Sequence, residues 1–273
     1  MFDYSATFAC YNNVAYTQKC IESLKQSNFD MSRLVIVDNN SADNTWDYLN
    51  TLQDVHLIRN KENMGCGVAW NQGALVQQAE WTVIMNNDIL VSHDWIENLI
   101  GQTIEAGLLV SSPAMIEGPT DYDWQTHLPQ LESKLKGYNR PQTAHAVCLL
   151  VHNSVWQKVG YFRATPKLLG FEDTIFFFDC FKNGVAHACM GGSWIHHFGS
   201  ITVKSLKEEM GIKKRSGGLG DRNNKNLLDQ GFFMRKWRKM EKKRHVAACR
   251  EAELQKYGAT VHCVRKDGQE IWL

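Results

Sequence analysis

The sequence predicts an α/β protein in which a mostly parallel central sheet is flanked by helices. Through the first 90 residues, short apolar runs alternate with segments whose apolar residues recur at helical spacing. Two of the apolar runs end in polar loops, a layout typical of the carboxyl edge of a parallel sheet. The 273 residues, 44% of them hydrophobic, suffice for one large domain or a domain with an appendage.

The first half alternates strictly between strand and helix patterns. The strand patterns cover residues 5–9, 34–37, 55–59 and 81–85. Segments with helical spacing lie between them, at 16–26, 41–52 and 68–78. This β-α-β-α-β-α-β order predicts a doubly wound parallel sheet.

The second half is less regular. Helices are predicted at residues 94–105, 154–160 and 174–183. Strands are predicted at residues 108–111 and 145–152. Residues 116–142 are polar and contain Gly, Pro and aromatic residues, so we expect a loop over a cleft. A polar, glycine-bearing stretch at 204–226 precedes a basic helix predicted at 227–257.

Charge is unevenly distributed along the chain. Residues 1–200 contain 12 Lys+Arg and 20 Asp+Glu, whereas residues 201–257 contain 16 and 7. The basic segment either contacts an anionic partner or is a solvated helix face. The eight cysteines form no CxxC pair, and the chain has no secretory signal pattern and no apolar stretch of about 20 residues. We therefore expect a cytoplasmic protein with reduced thiols and no transmembrane segment.

The most informative motif is Asn86-Asn87-Asp88, which follows the apolar run 81–85. A similar loop, Asp38-Asn39-Asn40-Ser41, follows the run 34–37. A carboxylate at this position can hold a hard divalent cation, and the cation can bind a diphosphate. Asn and Asp are also ordinary turn residues after a strand, so the motif alone is weak.

Further motifs follow in a recognisable order, and with them the chain resembles inverting family-2 glycosyltransferases of the GT-A fold over roughly residues 4–240. The matching pieces are Thr7-Phe8-Ala9-Cys10-Tyr11-Asn12, Val35-Ile36-Val37-Asp38-Asn39-Asn40-Ser41, Asn63-Met64-Gly65, Asn71-Gln72-Gly73, Asn86-Asn87-Asp88, Gly170-Phe171-Glu172-Asp173, His196-His197-Phe198-Gly199-Ser200 and Phe232-Phe233-Met234-Arg235-Lys236-Trp237.

The resemblance implies a nucleotide-sugar donor, most often UDP-linked in the family, with dTDP- and GDP-sugars left open. It also implies a divalent cofactor, Mn²⁺ or Mg²⁺, held by Asp88 with His197. Asn86 stands where the family's Asp-x-Asp pattern usually has its first acid. The residues expected to bind the nucleotide-sugar are Ala9, Tyr11, Asp38, Asn63, Gly65, Asn71, Asn86 and Asn87.

For catalysis, the resemblance implies Asp173 as the general base, with Glu172 binding the acceptor or orienting the loop. Two acids at the start of a helix also have a structural explanation, because they compensate the helix dipole. His196 and His197 are adjacent on an extended segment and point to opposite faces, so we expect only one to reach the cleft and favour His197.

The acceptor is expected to be a saccharide, either free or lipid-linked. In the lipid-linked case, the basic 204–244 segment would meet anionic headgroups at the inner face of the membrane. An alternative acceptor is the hydroxymethylated base of DNA, contacted through Lys213-Lys214-Arg215 and the later basic residues. A third reading is an inactive nucleotide-sugar-binding module.

These assignments divide the chain into two parts. We expect a catalytic domain at 1–203, with a nucleotide-binding half at about 1–90 and an acceptor half at about 91–203. A basic, mainly helical carboxyl-terminal extension would follow at 204–273.

Overall fold

The computed structural model describes residues 2–164, 171–199, 201 and 232–273. The described strands are β1 (Tyr4–Cys10), β2 (Leu34–Asp38), β3 (His56–Arg59), β4 (Trp81–Asn86), β5 (Ile89–Val91), β6 (Val110–Glu117), β7 (Asn139–Pro141), β8 (Cys148–His152), β9 (Ala188–His197), β10 (His262–Lys266) and β11 (Gln269–Trp272). The described α-helices are α1 (Val14–Gln26), α2 (Thr45–Leu49), α3 (Cys66–Val76), α4 (Trp95–Glu105), α5 (Trp124–Leu135), α6 (Asn153–Val159), α7 (Glu172–Lys182) and α8 (Phe232–Tyr257).

One mixed sheet runs through the protein in the order β11-β10-β6-β8-β4-β1-β2-β3, and β9 also pairs with β5, β6 and β7. The four strands β3, β2, β1 and β4 are mutually parallel, which confirms the α/β prediction. Their register sets Cys10 beside Asp38 and Ala9 beside Asn86. Because parallel strands end at the same edge, the polar loops that follow them gather there.

The sheet is covered by helices on both faces. On one face, buried side chains of α1, α2 and α4, among them Ile21, Leu49 and Trp95, pack against β1, β2 and β4. On the other face, Trp70 of α3 and Phe176 of α7 lie in a second buried cluster with residues of β4 and β8. Strands buried on both faces are continuously apolar, as the runs in the sequence predict.

The carboxyl-terminal part returns to the sheet. The basic helix is confirmed as α8, although residues 202–231, which include the predicted 204–226 stretch and Lys213-Lys214-Arg215, lie outside the described residues. After α8, the hairpin β10–β11, which the sequence did not predict, adds β10 parallel to β6 at 115–117. β8 pairs with β6 only at 110–111, so β10 occupies the edge of β6 beyond the end of β8.

The prediction of a loop at 116–142 was wrong. This segment contains the end of β6, the helix α5 and the short strand β7. Three leucines of α5, at helical spacing, are buried among residues of β6 and β9. Pro129 lies inside this helix, and a proline is a signal against a helix interior. The burial of Leu128, Leu131 and Leu135 nevertheless stabilises the helix around it.

Gly73 marks a close approach between α3 and β1. A Cβ added at Gly73 would lie 1.8 Å from Oγ1 and 2.5 Å from Cβ of Thr7. We expect Gly73→Ala to lower the free energy of unfolding by about 3 kcal/mol, at the upper end of the usual cost of overpacking. Urea unfolding measures this, with Gly101→Ala as control. Gly101 also lies in a helix but has no atoms within 4 Å of an added Cβ, so its substitution should stabilise by up to about 1 kcal/mol. Equal effects at both positions would contradict this packing argument.

Candidate nucleotide-sugar site

Hydrogen bonds tie together the loops at the carboxyl edge of the parallel strands. The Asn39 N–H donates to the Cys10 carbonyl at 2.9 Å, and the Ala42 N–H donates to Asn12 Oδ1 at 2.7 Å. Asn39 Nδ2 reaches the Gly65 carbonyl at 3.4 Å. The loops after β1 and β2 and the loop before α3 therefore form one continuous rim.

Asp38 lies at the centre of this rim and is fully buried. Its carboxylate accepts hydrogen bonds from the Ser41 N–H at 3.1 Å and from the Ser41 hydroxyl, and it faces Arg59 Nε at 3.3 Å. Protein partners thus contact both oxygens. In this arrangement Asp38 shapes the loop after β2, and a direct hydrogen bond to a nucleotide would require this network to rearrange.

Ala9 and Tyr11 lie where the resemblance places them, at the end of β1 and in the loop after it. Both are half-buried. The loop is bent sharply, because Asn12 and Asn13 adopt left-handed conformations with φ of 53° and 62°. Asn residues tolerate this region better than other residues with side chains, which explains their presence here.

Asn63 and Gly65 form the turn into α3. Asn63 Oδ1 accepts from the Gly65 N–H at 3.0 Å, and Gly65 has a φ of 82°. Glycine adopts this backbone conformation without steric cost. The amino terminus of α3 opens at this turn, and such termini favour anionic groups.

The triplet Asn71-Gln72-Gly73 is committed to packing and hydrogen bonding within the protein. Asn71 donates to the Phe162 carbonyl at 2.7 Å and accepts from the Phe162 N–H at 3.1 Å. Gln72 pairs with Asn60 through two hydrogen bonds of 2.9 Å. Asn71 therefore anchors the backbone at Phe162, just after α6, and its amide has little capacity left for a ligand.

The three residues Asn86, Asn87 and Asp88 at the end of β4 have different surroundings. The Asn86 N–H donates to the Val147 carbonyl at 2.8 Å, and its side chain is half-buried. Asn87 is buried, and its Nδ2 donates to Thr17 Oγ1 at 2.9 Å, which links the loop to α1. Asp88 is 3% exposed and lies where the loop turns into β5.

Asp88 and His197 face each other, with Oδ1 and Nε2 3.4 Å apart. Burial raises the pKa of the Asp88 carboxyl, but His197 and the Ile201 N–H outweigh it, so this pKa lies below its usual value. His197 is 4% exposed, and neither ring nitrogen makes a well-formed hydrogen bond. A buried imidazole left without such a bond beside a carboxylate fits a divalent cation.

His196 points the other way, as the alternation along a strand requires. Its Nδ1 lies 2.8 Å from the Tyr122 hydroxyl and its Nε2 3.0 Å from the Gly118 carbonyl. Across the described residues, no group of three or more His, Cys, Asp and Glu side chains is placed to hold a metal. Asp88 and His197 would therefore share an ion with oxygens of the ligand or water.

Glu172 and Asp173 open α7. Burial, followed by the charge of Asp173, raises the pKa of Glu172 to about 7. Its Cβ lies 3.3 Å from the position that a Cβ on Gly67 would occupy, so the start of α7 packs on the start of α3. Asp173 Oδ1 accepts from the Thr174 N–H at 2.6 Å, which holds the carboxylate at the helix amino terminus.

Cys66 shows that the two halves of the candidate site are neighbours. Burial, then the charges of Glu172 and Asp88, raise the pKa of its thiol to about 12. Both carboxylates therefore lie within electrostatic range of one side chain at the first residue of α3. The structure brings Asp88, His197 and Glu172 to one region of the sheet edge.

Several residues that shape the site were missed by sequence reasoning. They are Thr17, Arg59 and Cys66, each of which contacts or borders a predicted residue through space. One signal was available. Arg59 ends β3 as Asp38 ends β2, and opposite charges at the ends of adjacent parallel strands favour a contact.

The sequence matches a known family over most of the catalytic region described above. Residues 5–170 match glycosyl transferase family 2. Glycosyltransferase GlyG of Streptococcus pneumoniae serotype 4 is 27% identical over 105 residues, which are 37% of this chain and 35% of GlyG. The chain spans about a third of the length of the curated relatives it matches.

Two solved structures share the GT-A-like fold. GalNAc-T7, crystallised with UDP, GalNAc and Mn²⁺, matches with a TM-score of 0.57 and 13% identity over 72% of this chain and 44% of its own. TarS 1–349 of S. aureus matches with a TM-score of 0.56 and 15% identity over 82% of this chain and 69% of its own. At these identities the likeness concerns the fold alone.

Proposed function

Because the chain belongs to glycosyl transferase family 2, we propose that it is an inverting, metal-dependent transferase that moves a sugar from a nucleotide-sugar to a saccharide acceptor. The observation that carries the proposal is the buried pair Asp88–His197 beside the polar rim of the sheet. UDP is the first candidate nucleotide, and it is also the nucleotide bound in the GalNAc-T7 structure.

The nucleotide-sugar would lie along the rim. Tyr11 offers a ring face to the base, and Asp38, held by Ser41 and Arg59, maintains the loop beneath it. The turn formed by Asn63 and Gly65 places the amino terminus of α3 at the rim, and Asn86 presents a half-buried amide. Asn87 positions this loop through its bond to Thr17.

Asp88 and His197 would hold Mn²⁺ or Mg²⁺ against the diphosphate. The cation supplies positive charge that stabilises the departing diphosphate. Asp88 suits this task because carboxylate oxygens are the ligands that hard divalent cations prefer. The missing first acid leaves Asp88 as the one carboxylate of the triplet, with His197 as its partner.

Asp173 would take the proton of the acceptor hydroxyl. The acceptor oxygen forms a bond to the anomeric carbon from the side opposite the diphosphate, and the bond from that carbon to the phosphate oxygen breaks. The proton moves to the Asp173 carboxylate, and the nucleoside diphosphate leaves. Glu172, beside the start of α3, would bind or orient the acceptor.

Nucleoside diphosphate release tests the proposal. We test a panel of UDP-, dTDP- and GDP-sugars. We expect the wild-type protein to release the nucleoside diphosphate from one of these sugar donors in the presence of Mn²⁺ and not in the presence of EDTA. Asp88→Asn should lower the rate by about 100-fold or more, because one carboxylate anchors the charge that stabilises the leaving group. Asp47→Asn, an exposed acid in the first turn of α2, should not change it.

Equal release in EDTA and Mn²⁺ would contradict the metal assignment. No release from any sugar donor, even with glycan and hydroxymethylated-DNA acceptors present, would favour an inactive binding module. Transfer to the DNA acceptor alone would replace the saccharide with a nucleic acid as the substrate.

A further inference from the structure

Glu117 ends β6 directly beside His197, which ends β9. The two residues are paired in the parallel ladder, and the Gly118 N–H donates to the His197 carbonyl at 2.9 Å. Paired residues on adjacent strands project to the same face of a sheet, and the strands lie about 4.8 Å apart. Glu117 is therefore a carboxylate on the same face as His197, and it belongs to none of the motifs in the sequence.

The Glu117 carboxylate is close to the candidate metal site but is held there only loosely. Its Oε2 lies 3.7 Å from Nε2 of His262 in β10, which is longer than a hydrogen bond. Its Oε1 lies 3.4 Å from the position that a Cβ on Gly199 would occupy. The Glu117 side chain is 36% exposed, so its carboxylate has room to turn.

Electrostatics place the same carboxylate within range of both candidate metal ligands. The His262 ring is the main cause that lowers the pKa of the Glu117 carboxyl, and the charge of His197 lowers it further. The charge of Asp88 acts in the opposite direction and raises this pKa. Glu117, His197 and Asp88 are therefore neighbours at one end of the sheet.

His197 has one ring nitrogen directed at the candidate metal site and one left over. Its Nε2 faces Asp88 Oδ1 at 3.4 Å. Its Nδ1 is buried, and within the described ranges it has no hydrogen-bond partner. A histidine that binds a metal through one nitrogen almost always donates its other N–H to a carboxylate, a carbonyl or water, which fixes the ring. Nδ1 therefore needs an acceptor when Nε2 binds a cation.

We propose that Glu117 is this acceptor and positions His197 for the divalent cation, an inference that rests on the proposed function. The carboxylate would turn from His262 towards His197 and accept the Nδ1–H, while Asp88 and Nε2 hold the ion. It would also add negative charge to a site whose triplet has Asn86 as its first residue. Glu117 does not itself bind the cation, in agreement with the absence of a three-residue metal cluster among the described residues.

Mn²⁺ binding to the full chain tests this role without turnover. The concentration of free Mn²⁺, measured by electron paramagnetic resonance, gives the affinity of each variant. Glu117→Ala should weaken Mn²⁺ binding by about 10- to 100-fold, the usual effect of losing the partner of a metal-binding histidine. Glu117→Gln keeps the size of the side chain and one acceptor oxygen, so its loss should be smaller.

The matched control is Glu80→Ala, which also removes a carboxylate beside a histidine. Glu80 Oε1 lies 3.5 Å from His152 Nε2, and Glu80 precedes β4, whereas Asp88 follows it. This change should leave Mn²⁺ affinity as it is in the wild type. An equal loss of affinity in Glu80→Ala and Glu117→Ala would be a general effect of charge and would overturn the proposal.

A spectroscopic measurement separates positioning from a merely structural role. In protein loaded with Mg²⁺, which is diamagnetic, the Nδ1 proton of His197 should resonate far downfield because a carboxylate accepts it. In Glu117→Ala this resonance should move upfield or be lost through exchange with water. An unchanged Nδ1 proton resonance would show that another group is the acceptor and would overturn the proposal.

Asp88→Asn distinguishes failure of this inference from failure of the proposed function. If Asp88→Asn weakens Mn²⁺ binding and Glu117→Ala does not, the role of Glu117 is overturned and the metal assignment stands. If Asp88→Asn binds Mn²⁺ as tightly as the wild type, the metal assignment fails and the role of Glu117 fails with it.

Discussion

Asp173→Asn is expected to lower acceptor-dependent turnover by about 10²- to 10⁴-fold, the usual contribution of a positioned general base. Nucleotide-sugar binding should change little, because the amide keeps the shape of the carboxylate and can still accept from the Thr174 N–H. Initial rates with saturating sugar donor, together with calorimetric measurement of donor affinity, separate the two effects. The matched control is Asp47→Asn, which changes an exposed acid in the first turn of another helix.

Glu172 makes this prediction sharper, since its pKa is raised to about 7 by burial. If its ionised form helps to bind the acceptor, activity rises as pH increases through about 7, and Glu172→Gln should remove this limb of the profile. Burial disfavours the charged form, so above pH 7 the ionised group lowers the stability of the fold. Glu172→Gln should therefore be more stable than wild type at pH 8.

Two results would contradict these roles. If Asp173→Asn kept full turnover while Glu172→Gln lost it, the base would be Glu172, whose pKa near 7 is well matched to proton transfer at neutral pH. If both variants kept full turnover, neither acid would serve as the base. In that case the pair at the start of α7 would do no more than compensate the helix dipole.

Local patterns were enough to predict the first half of the fold. Strands β2 and β4 are largely apolar and α1 has amphipathic spacing, so the period of the sequence identified these elements, whereas β3 is exposed at both ends. In α5 the pattern failed, because Pro129 and polar residues obscure Leu128, Leu131 and Leu135. The hairpin β10–β11 was not predicted for another reason. Its strands are only partly buried and carry charged residues, and β10 is stabilised by pairing with β6, which is distant in the sequence.

In the candidate site, too, some features follow from local sequence patterns and others depend on contacts between distant segments. The position of Asp88 follows from a strand-end motif, and the alternation of side chains along a strand explains why only one of His196 and His197 faces Asp88. The partners that hold Asp38 and Asn87 come from other elements, and no spacing along the chain indicates them. The amide of Asn71 shows what a motif leaves out, since this residue, which the motif assigns to the ligand, forms two hydrogen bonds with the Phe162 backbone.

The largest stability effect is expected at Arg140 and Glu253, a buried ion pair between β7 and α8. Arg140 is 3% and Glu253 1% exposed, and Arg140 Nε donates to Glu253 Oε1 at 2.7 Å, with a second bond from Nη2. Glu253 also accepts from the Tyr138 hydroxyl at 2.6 Å and the Val261 N–H at 3.2 Å. One carboxylate thus joins the core, α8 and the segment that leads into β10.

Glu253→Ala should lower the free energy of unfolding by about 3–5 kcal/mol, because it leaves a buried guanidinium without its carboxylate and two further donors unpaired. Thermal and urea unfolding measure this, with Glu251→Ala, an exposed acid on the same helix, as control. The double variant Arg140→Met with Glu253→Met should recover part of the loss, since it removes both charges but leaves Tyr138 and Val261 without their acceptor. A loss below about 1 kcal/mol in Glu253→Ala would contradict this role and would leave sheet pairing and apolar packing to hold α8 and β10.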